Sequence, residues 1–101
     1  MHKTVEYFGN FLDVPLSATC VATDGNLSIY AYVTPPTYQP PYEPEPPLFQ
    51  PFDGAWGFDP GVEPKRFFDG LHCYYLGEMD PSDGFDPAQS LVMVDKLEDL
   101  S

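Results

Sequence analysis

The side chains best able to do chemistry in this sequence are two cysteines (Cys20, Cys73), two histidines (His2, His72) and sixteen carboxylates. Nucleophilic catalysis needs a cysteine or serine beside a histidine base that a third group orients. His72 adjoins Cys73, but neighbours on a strand point to opposite faces, so the two cannot form a dyad in the strand that residues 71–76 predict. His2 falls in a terminal segment expected to be mobile. An approach of Cys20 to His72 or Cys73 across strands stays open, as does a disulfide if the two cysteine strands are neighbours. Zinc would require four nitrogen or sulfur ligands at recognisable spacing, and these isolated pairs contain no Cys-x-x-Cys. Asp80, Asp83 and Asp86 set three carboxylates at intervals of three. They lack the alternate ligands, central glycine and terminal glutamate of an EF-hand loop, and Asp-Pro and Asp-Gly read as turn starts. A carboxylate pair could flank a cleft as in a glycosidase, but with sixteen acids mere proximity has no specificity. The expectation is a protein with no catalytic residue, no metal and no cofactor.

Charge then sets the class. Sixteen acids face four bases in 101 residues, a net charge of −12. From Met1 to Val33 there are three acids and one base, so residues 34–101 carry thirteen acids and three bases, a net −10. Such a charge favours solubility, repels nucleic acid and anionic lipid, and draws the chain toward basic protein surfaces. Lys65-Arg66 is too small a basic patch for direct nucleic-acid binding and is expected to pair locally with Glu63 and Asp69. No apolar run reaches the roughly 20 residues of a membrane-spanning helix, and the first residues lack the blocks of a signal peptide. The cytoplasm, that of a host cell on the reading below, is the expected location.

The elements that position these groups follow from patterning. Aromatic residues make up 16% of the chain, too many for simple disorder, while thirteen prolines interrupt regular structure. Residues 18–23 and 27–33 are β-branched and aromatic and flank Asp24-Gly25-Asn26, predicting a hairpin whose turn takes positive φ from glycine and asparagine. Ile29, Ala31 and Val33 fall on one face of the second strand and Tyr30 and Tyr32 on the other, so both faces are partly apolar, which predicts either a central strand or a sheet with something lying across its outer side. Residues 4–12 suggest another strand, broken by Asp13-Val14-Pro15. Residues 71–76 and 91–94 predict two more, and Asp86-Pro87 a single helical turn with aspartate as cap. The polar end from Asp95 is expected to fray. The fold class is mainly β, α+β at most: one small antiparallel sheet of three to five strands and at most one short helix.

Residues 1–101 read as a single small domain, with 34–64 a proline- and aromatic-rich covering segment inside it. Eight of the seventeen residues 35–51 are proline, interleaved with rings. The PxxP spacing of Pro41, Pro44 and Pro47 lacks the flanking basic residue of a groove-binding ligand, so the segment is expected to pack on the domain's own sheet. Acids mixed with rings form the candidate partner-binding set: Tyr42, Glu43, Glu45, Asp53, Trp56, Asp59, Asp80, Asp83 and Asp86. Aromatic residues anchor interfaces and carboxylates steer encounter with basic partners. Carboxylates standing where phosphates would lie would make the chain a DNA mimic; a merely solubilising acidic surface is the competing reading.

The stretch from Val14 to Tyr32, with its Val21-Ala22-Thr23-Asp24 strand, turn and Tyr30-Ala31-Tyr32 strand, followed by Pro35-Pro36, resembles small proteins of tailed bacteriophages and prophages. Tyr75-Leu76-Gly77-Glu78 and Ser90-Leu91-Val92-Met93-Val94 occupy the places of two further segments of that pattern, while the long proline-rich insertion after Val33 departs from it. The resemblance implies a phage accessory setting, in which small acidic proteins often inhibit host enzymes or host immunity, anti-CRISPR proteins among them. The expected function is a non-enzymatic inhibitor that binds a basic, nucleic-acid-handling host protein of a defence or transcription system. The alternative is a virion structural or accessory protein whose proline-rich arm packs on neighbouring subunits.

Overall fold

A computed structural model describes residues 2–41, 54–67, 69–80 and 85–100. The first strands, β1 (His2–Tyr7) and β2 (Asn10–Pro15), form a hairpin in register from His2↔Pro15 to Tyr7↔Asn10. Val5, Tyr7, Leu12 and Val14 alternate inward and are buried. The turn is Phe8-Gly9, both with positive φ (46° and 81°), a twist that matches the right-handed twist of paired strands. The single strand expected here, ending before Asp13, is therefore two, and the second runs through Asp13-Val14-Pro15. It can do so because β2 is an edge strand, where the missing proline N–H costs no ladder bond.

The expected central hairpin is β3 (Cys20–Thr23) with β4 (Ser28–Tyr32), paired from Cys20↔Tyr32 to Thr23↔Ile29. Its turn differs from expectation. Positive φ falls on Leu27 (72°), not on Gly25 or Asn26, and Asp24 closes the loop by donating its N–H to Ser28 and accepting from Leu27 N–H. Two short strands, β5 (Thr37–Gln39) and β6 (Ala55–Gly57), pair with each other, so the proline-rich region contributes one strand of a two-stranded ribbon rather than only irregular chain. Strand β7 (Cys73–Glu78) pairs with β4, and β8 (Val92–Met93) with β3. A 3-10 turn over Pro87–Gln89 is capped as expected by Asp86, whose Oδ1 accepts from Ala88 N–H at 3.0 Å. The end does not fray: a second 3-10 turn (Val94–Lys96) leads into β9 (Glu98–Asp99), which pairs with β1.

The protein is mainly β. Among the described residues the strands form three antiparallel sheets, β2-β1-β9, β7-β4-β3-β8 and β5-β6, instead of the single sheet expected, and no α-helix. The two larger sheets enclose the main core, built from Val5, Tyr7, Leu12 and Val14 on one side and Val21, Ile29 and Ala31 on the other. Alternation sends Cys20, Ala22, Tyr30 and Tyr32 to the far face of the four-stranded sheet. There Trp56, Phe58, Cys73 and Leu91 pack on them in a second, smaller core.

Candidate functional site

The far face of the four-stranded sheet gathers acids and rings at the end where β3 turns into β4. Trp56 is drawn there by polar contacts. Its backbone N–H donates to Asp24 Oδ1 at 2.9 Å, and its indole N–H points among Pro87 O (3.0 Å), Thr23 O (3.1 Å) and Ser90 Oγ (3.2 Å). Gly25 N–H donates to Gly54 O beside them at 2.8 Å. Ser90, fully buried, accepts from Thr23 N–H at 2.9 Å, and its hydroxyl faces Pro87 O and Thr23 O. Tyr7 reaches the same knot from the opposite sheet, with its hydroxyl 2.9 Å from Thr23 Oγ1 and donating to Ser90 O at 2.8 Å. A buried network satisfied in this way locks geometry, here the position of Trp56.

Several rings share this face of the sheet with the anchored indole. Tyr38 lies 5.2 Å from Trp56, Tyr30 lies 5.6 Å from the exposed Tyr75, and Phe58 lies 6.0 Å from Tyr32. Asp24 sits among them half-buried. Burial raises its carboxyl above the ordinary carboxylate range, and the Trp56 N–H pulls the other way. No basic side chain of the described residues pairs with it. Its charge adds to the burial that raises the phenols of Tyr30 and Tyr32 and the Cys73 thiol; on Tyr38, after burial, Asp86 acts first and Asp24 second. The arrangement offers a half-buried negative charge beside aromatic rings, and the charge suits the surface to a cation.

Of the residues expected to bind a partner, Trp56 and Asp86 come together in this patch through the indole bond to Pro87. Asp80 is exposed and follows Met79, whose N–H donates to Leu27 O at 2.7 Å, so it lies at the same turn end. Asp59 does not join them. It follows Phe58, whose ring meets Tyr32 and His72 at the other end of β4. Tyr42, Glu43, Glu45, Asp53 and Asp83 lie outside the described residues. Sequence reasoning missed Asp24 and Tyr38, although Asp24 was in plain view as a turn residue and Tyr38 as a ring of the proline-rich segment. The role of Ser90 as a junction between the sheets carried no local signal, since Thr23 and Tyr7, which it joins, are 67 and 83 residues away.

A second acidic feature was also missed. On the outer face of the three-stranded sheet Glu6 stands directly opposite Glu98, and Asp13 lies diagonally from Glu6 across β2. Phe11, opposite Glu6, is 70% exposed beside them. Two of these acids come from the segment with the lower charge, and the third from an end expected to be frayed.

The groups with chemical potential are dispersed. Cys20 and Cys73 both register with Tyr32 but from opposite sides, leaving β4 between them. Two strand spacings, roughly 9–10 Å, exceed the reach of a disulfide, and both cysteines are free. Burial pushes both thiols up, which keeps them protonated and poorly nucleophilic. His72 packs edge-on to Phe58 at 6.3 Å, and its Nε2 is buried without a partner among the described residues. His2 is not in a loose terminus but in β1, tilted against Tyr74 at 5.8 Å. Arg66 donates to the Gly70 carbonyl at 3.0 Å rather than pairing with Glu63 or Asp69. Among the described residues no three His, Cys, Asp or Glu side chains converge as metal ligands, and no helix is long and apolar enough to cross a membrane. Comparison of the chain with protein-family models, with curated proteins and with solved structures finds no match.

Proposed function

We propose that this chain is a non-enzymatic binding protein that occupies a basic surface of another protein, of the kind that handles nucleic acid. The observation that carries the reading is Asp24: a half-buried carboxylate held by the Trp56 backbone N–H near Tyr30, Tyr32 and Tyr38, with no basic partner among the described residues. Desolvating a carboxylate without a counter-charge costs stability, and a lysine or arginine from outside would supply the missing charge. Asp86 and Asp80 add exposed carboxylates at the same end, where they would steer a basic partner into place. The run Asp13, Glu6, Glu98 on the opposite outer face supplies neighbouring carboxylates of the sort a phosphate mimic needs. The setting we infer from the Val-Ala-Thr-Asp and Tyr-Ala-Tyr strand pattern is that of a phage accessory protein, acting in the host cell against a defence or transcription component.

The test is a tagged pull-down from nuclease-treated bacterial lysate at low and high salt, run with the wild type and Asp24→Asn. Asparagine keeps the Oδ1 acceptor for Trp56 and removes only the charge. The expected result is a nucleic-acid-binding protein retained at low salt, released by high salt or added DNA, and retained about tenfold less by Asp24→Asn. Equal retention by both proteins would overturn the role given to Asp24. Recovery only of this chain itself or of phage structural proteins would replace the reading with that of a virion component.

A further inference from the structure

At the end of the molecule opposite the Asp24 turn, the two large sheets part around a pocket of about 420 Å³ lined by His2, Pro15, Leu16, Ser17, Phe67, Asp69 and Tyr74. Each wall has a structural reason. Pro15, Leu16 and Ser17 carry the chain from one sheet to the other, and Leu16 is left 51% exposed. Tyr74, on edge strand β7, presents its ring to His2 at 5.8 Å and to Phe67 at 6.0 Å. Phe67 is held by a tight turn, its N–H donating to Leu71 O and its carbonyl accepting from Gly70 N–H, each at 2.8 Å. That turn carries Asp69, exposed, with Oδ1 accepting from Leu71 N–H at 3.2 Å.

We propose that this pocket receives an arginine side chain of the basic partner, an inference that rests on the reading of the protein as a binder of basic surfaces. The volume lies within the range for small-molecule sites, which leaves ample room for one long side chain. Aliphatic and aromatic walls match a three-carbon stem, and a guanidinium plane stacks on tyrosine or phenylalanine where a hydrated ammonium gains less. Asp69 supplies the carboxylate, no lysine or arginine among the described residues lines the pocket, and the molecule's net −12 favours a cation over any anion. Serine, histidine and aspartate are also the residue types of a hydrolytic triad. No hydrogen bond joins Ser17, His2 and Asp69 to one another, so the pocket lacks the base–nucleophile contact that such chemistry starts from.

The experiment is a titration of the full chain, followed by amide chemical shifts, with three capped tripeptides: Gly-Arg-Gly, Gly-Lys-Gly and Gly-citrulline-Gly. Citrulline keeps the shape and planarity of arginine without its charge. The arginine peptide is expected to shift Ser17, Phe67, Asp69 and Tyr74, with the lysine peptide weaker and the citrulline peptide at least about tenfold weaker. Asp69→Asn, which preserves the Oδ1 contact to Leu71, is expected to lose the preference for arginine over citrulline while its spectrum shows the fold intact. Equal binding of arginine and citrulline peptides, or shifts confined to Asp24 and Tyr38, would overturn the proposal. The two readings fail separately. A basic partner held equally by wild type and Asp69→Asn, with no peptide shift at the pocket, sinks the arginine site and leaves the partner reading standing. Peptide binding at the pocket without any basic partner in the lysate does the reverse.

Discussion

Ser90 shows how much of this molecule hangs on single polar atoms. Its hydroxyl serves Thr23 N–H, Pro87 O and the Trp56 indole from a fully buried position. Ser90→Ala leaves the Thr23 amide unsatisfied and is expected to cost about 1–3 kcal/mol, read from the urea midpoint with unchanged slope. Asp24 works in the opposite sense. Burial raises its carboxyl, so the folded chain holds that proton more tightly than the unfolded one. Its ionisation is therefore no burden at pH below the unfolded-chain value, and becomes one as pH rises through the raised folded value. Asp24→Asn should stabilise the fold at neutral pH, with a gain that vanishes as urea melts are repeated down through the carboxylate range; a gain that persists in acid would point to another cause. A substitution that strengthens the fold while weakening partner retention marks a residue kept for function. The sequence shows Asp24 as a turn starter, and its surroundings of tyrosines from β4 and β5 come only with the fold.

At the scale of elements, the segment that crosses the far face of the four-stranded sheet is pinned at a few backbone points. Gly54 is the tightest of them. Its φ is +95°, and a Cβ there would overlap the Tyr38 hydroxyl. Gly9, in the Phe8-Gly9 turn, has a φ of +81° with open space around it. Gly9→Ala is expected to cost about 1–2 kcal/mol, the backbone penalty alone, whereas Gly54→Ala should cost more and shift the Trp56 fluorescence. Equal losses at the two positions, with Trp56 emission unmoved, would show that Tyr38 does not hold that segment in place. Elements with local signals were legible: the β3–β4 hairpin from its β-branched runs, β7 and β8 from their apolar clusters, and the Asp86 cap from Asp-Pro. Those without were not. Thr37–Gln39 and Glu98–Asp99 are strands only because Ala55–Gly57 and Val5-Glu6 lie alongside to pair with them, and short strands owe their existence to such partners more than to their own residues.

Over the whole molecule, charge opposes compactness. With a net −12, and with Glu6 facing Glu98 across β1 and β9, like charges repel in the folded state more than in the expanded one. Raising NaCl from about 0.01 M to about 1 M shortens the screening length from about 30 Å to about 3 Å. The thermal midpoint should rise by about 4 °C or more if the relief is worth about 1 kcal/mol, while retention of a basic partner falls over the same range. A midpoint insensitive to salt would mean that the carboxylates are spaced widely enough not to interact.

The residues alone determined that this chain is mainly β, because β-branched and aromatic runs between turn residues can bury a face only as strands. They also determined the acidity of its surface, because four bases cannot neutralise sixteen acids. Which acids stand together was decided by the tertiary structure. Asp24 meets Trp56 across 32 residues, Glu6 meets Glu98 across the length of the chain, and Cys20 and Cys73 are kept apart by the one strand between them. Each of these depends on strand order, and strand order depends on which apolar faces cover one another, a property of the assembled sheets and not of any segment read by itself.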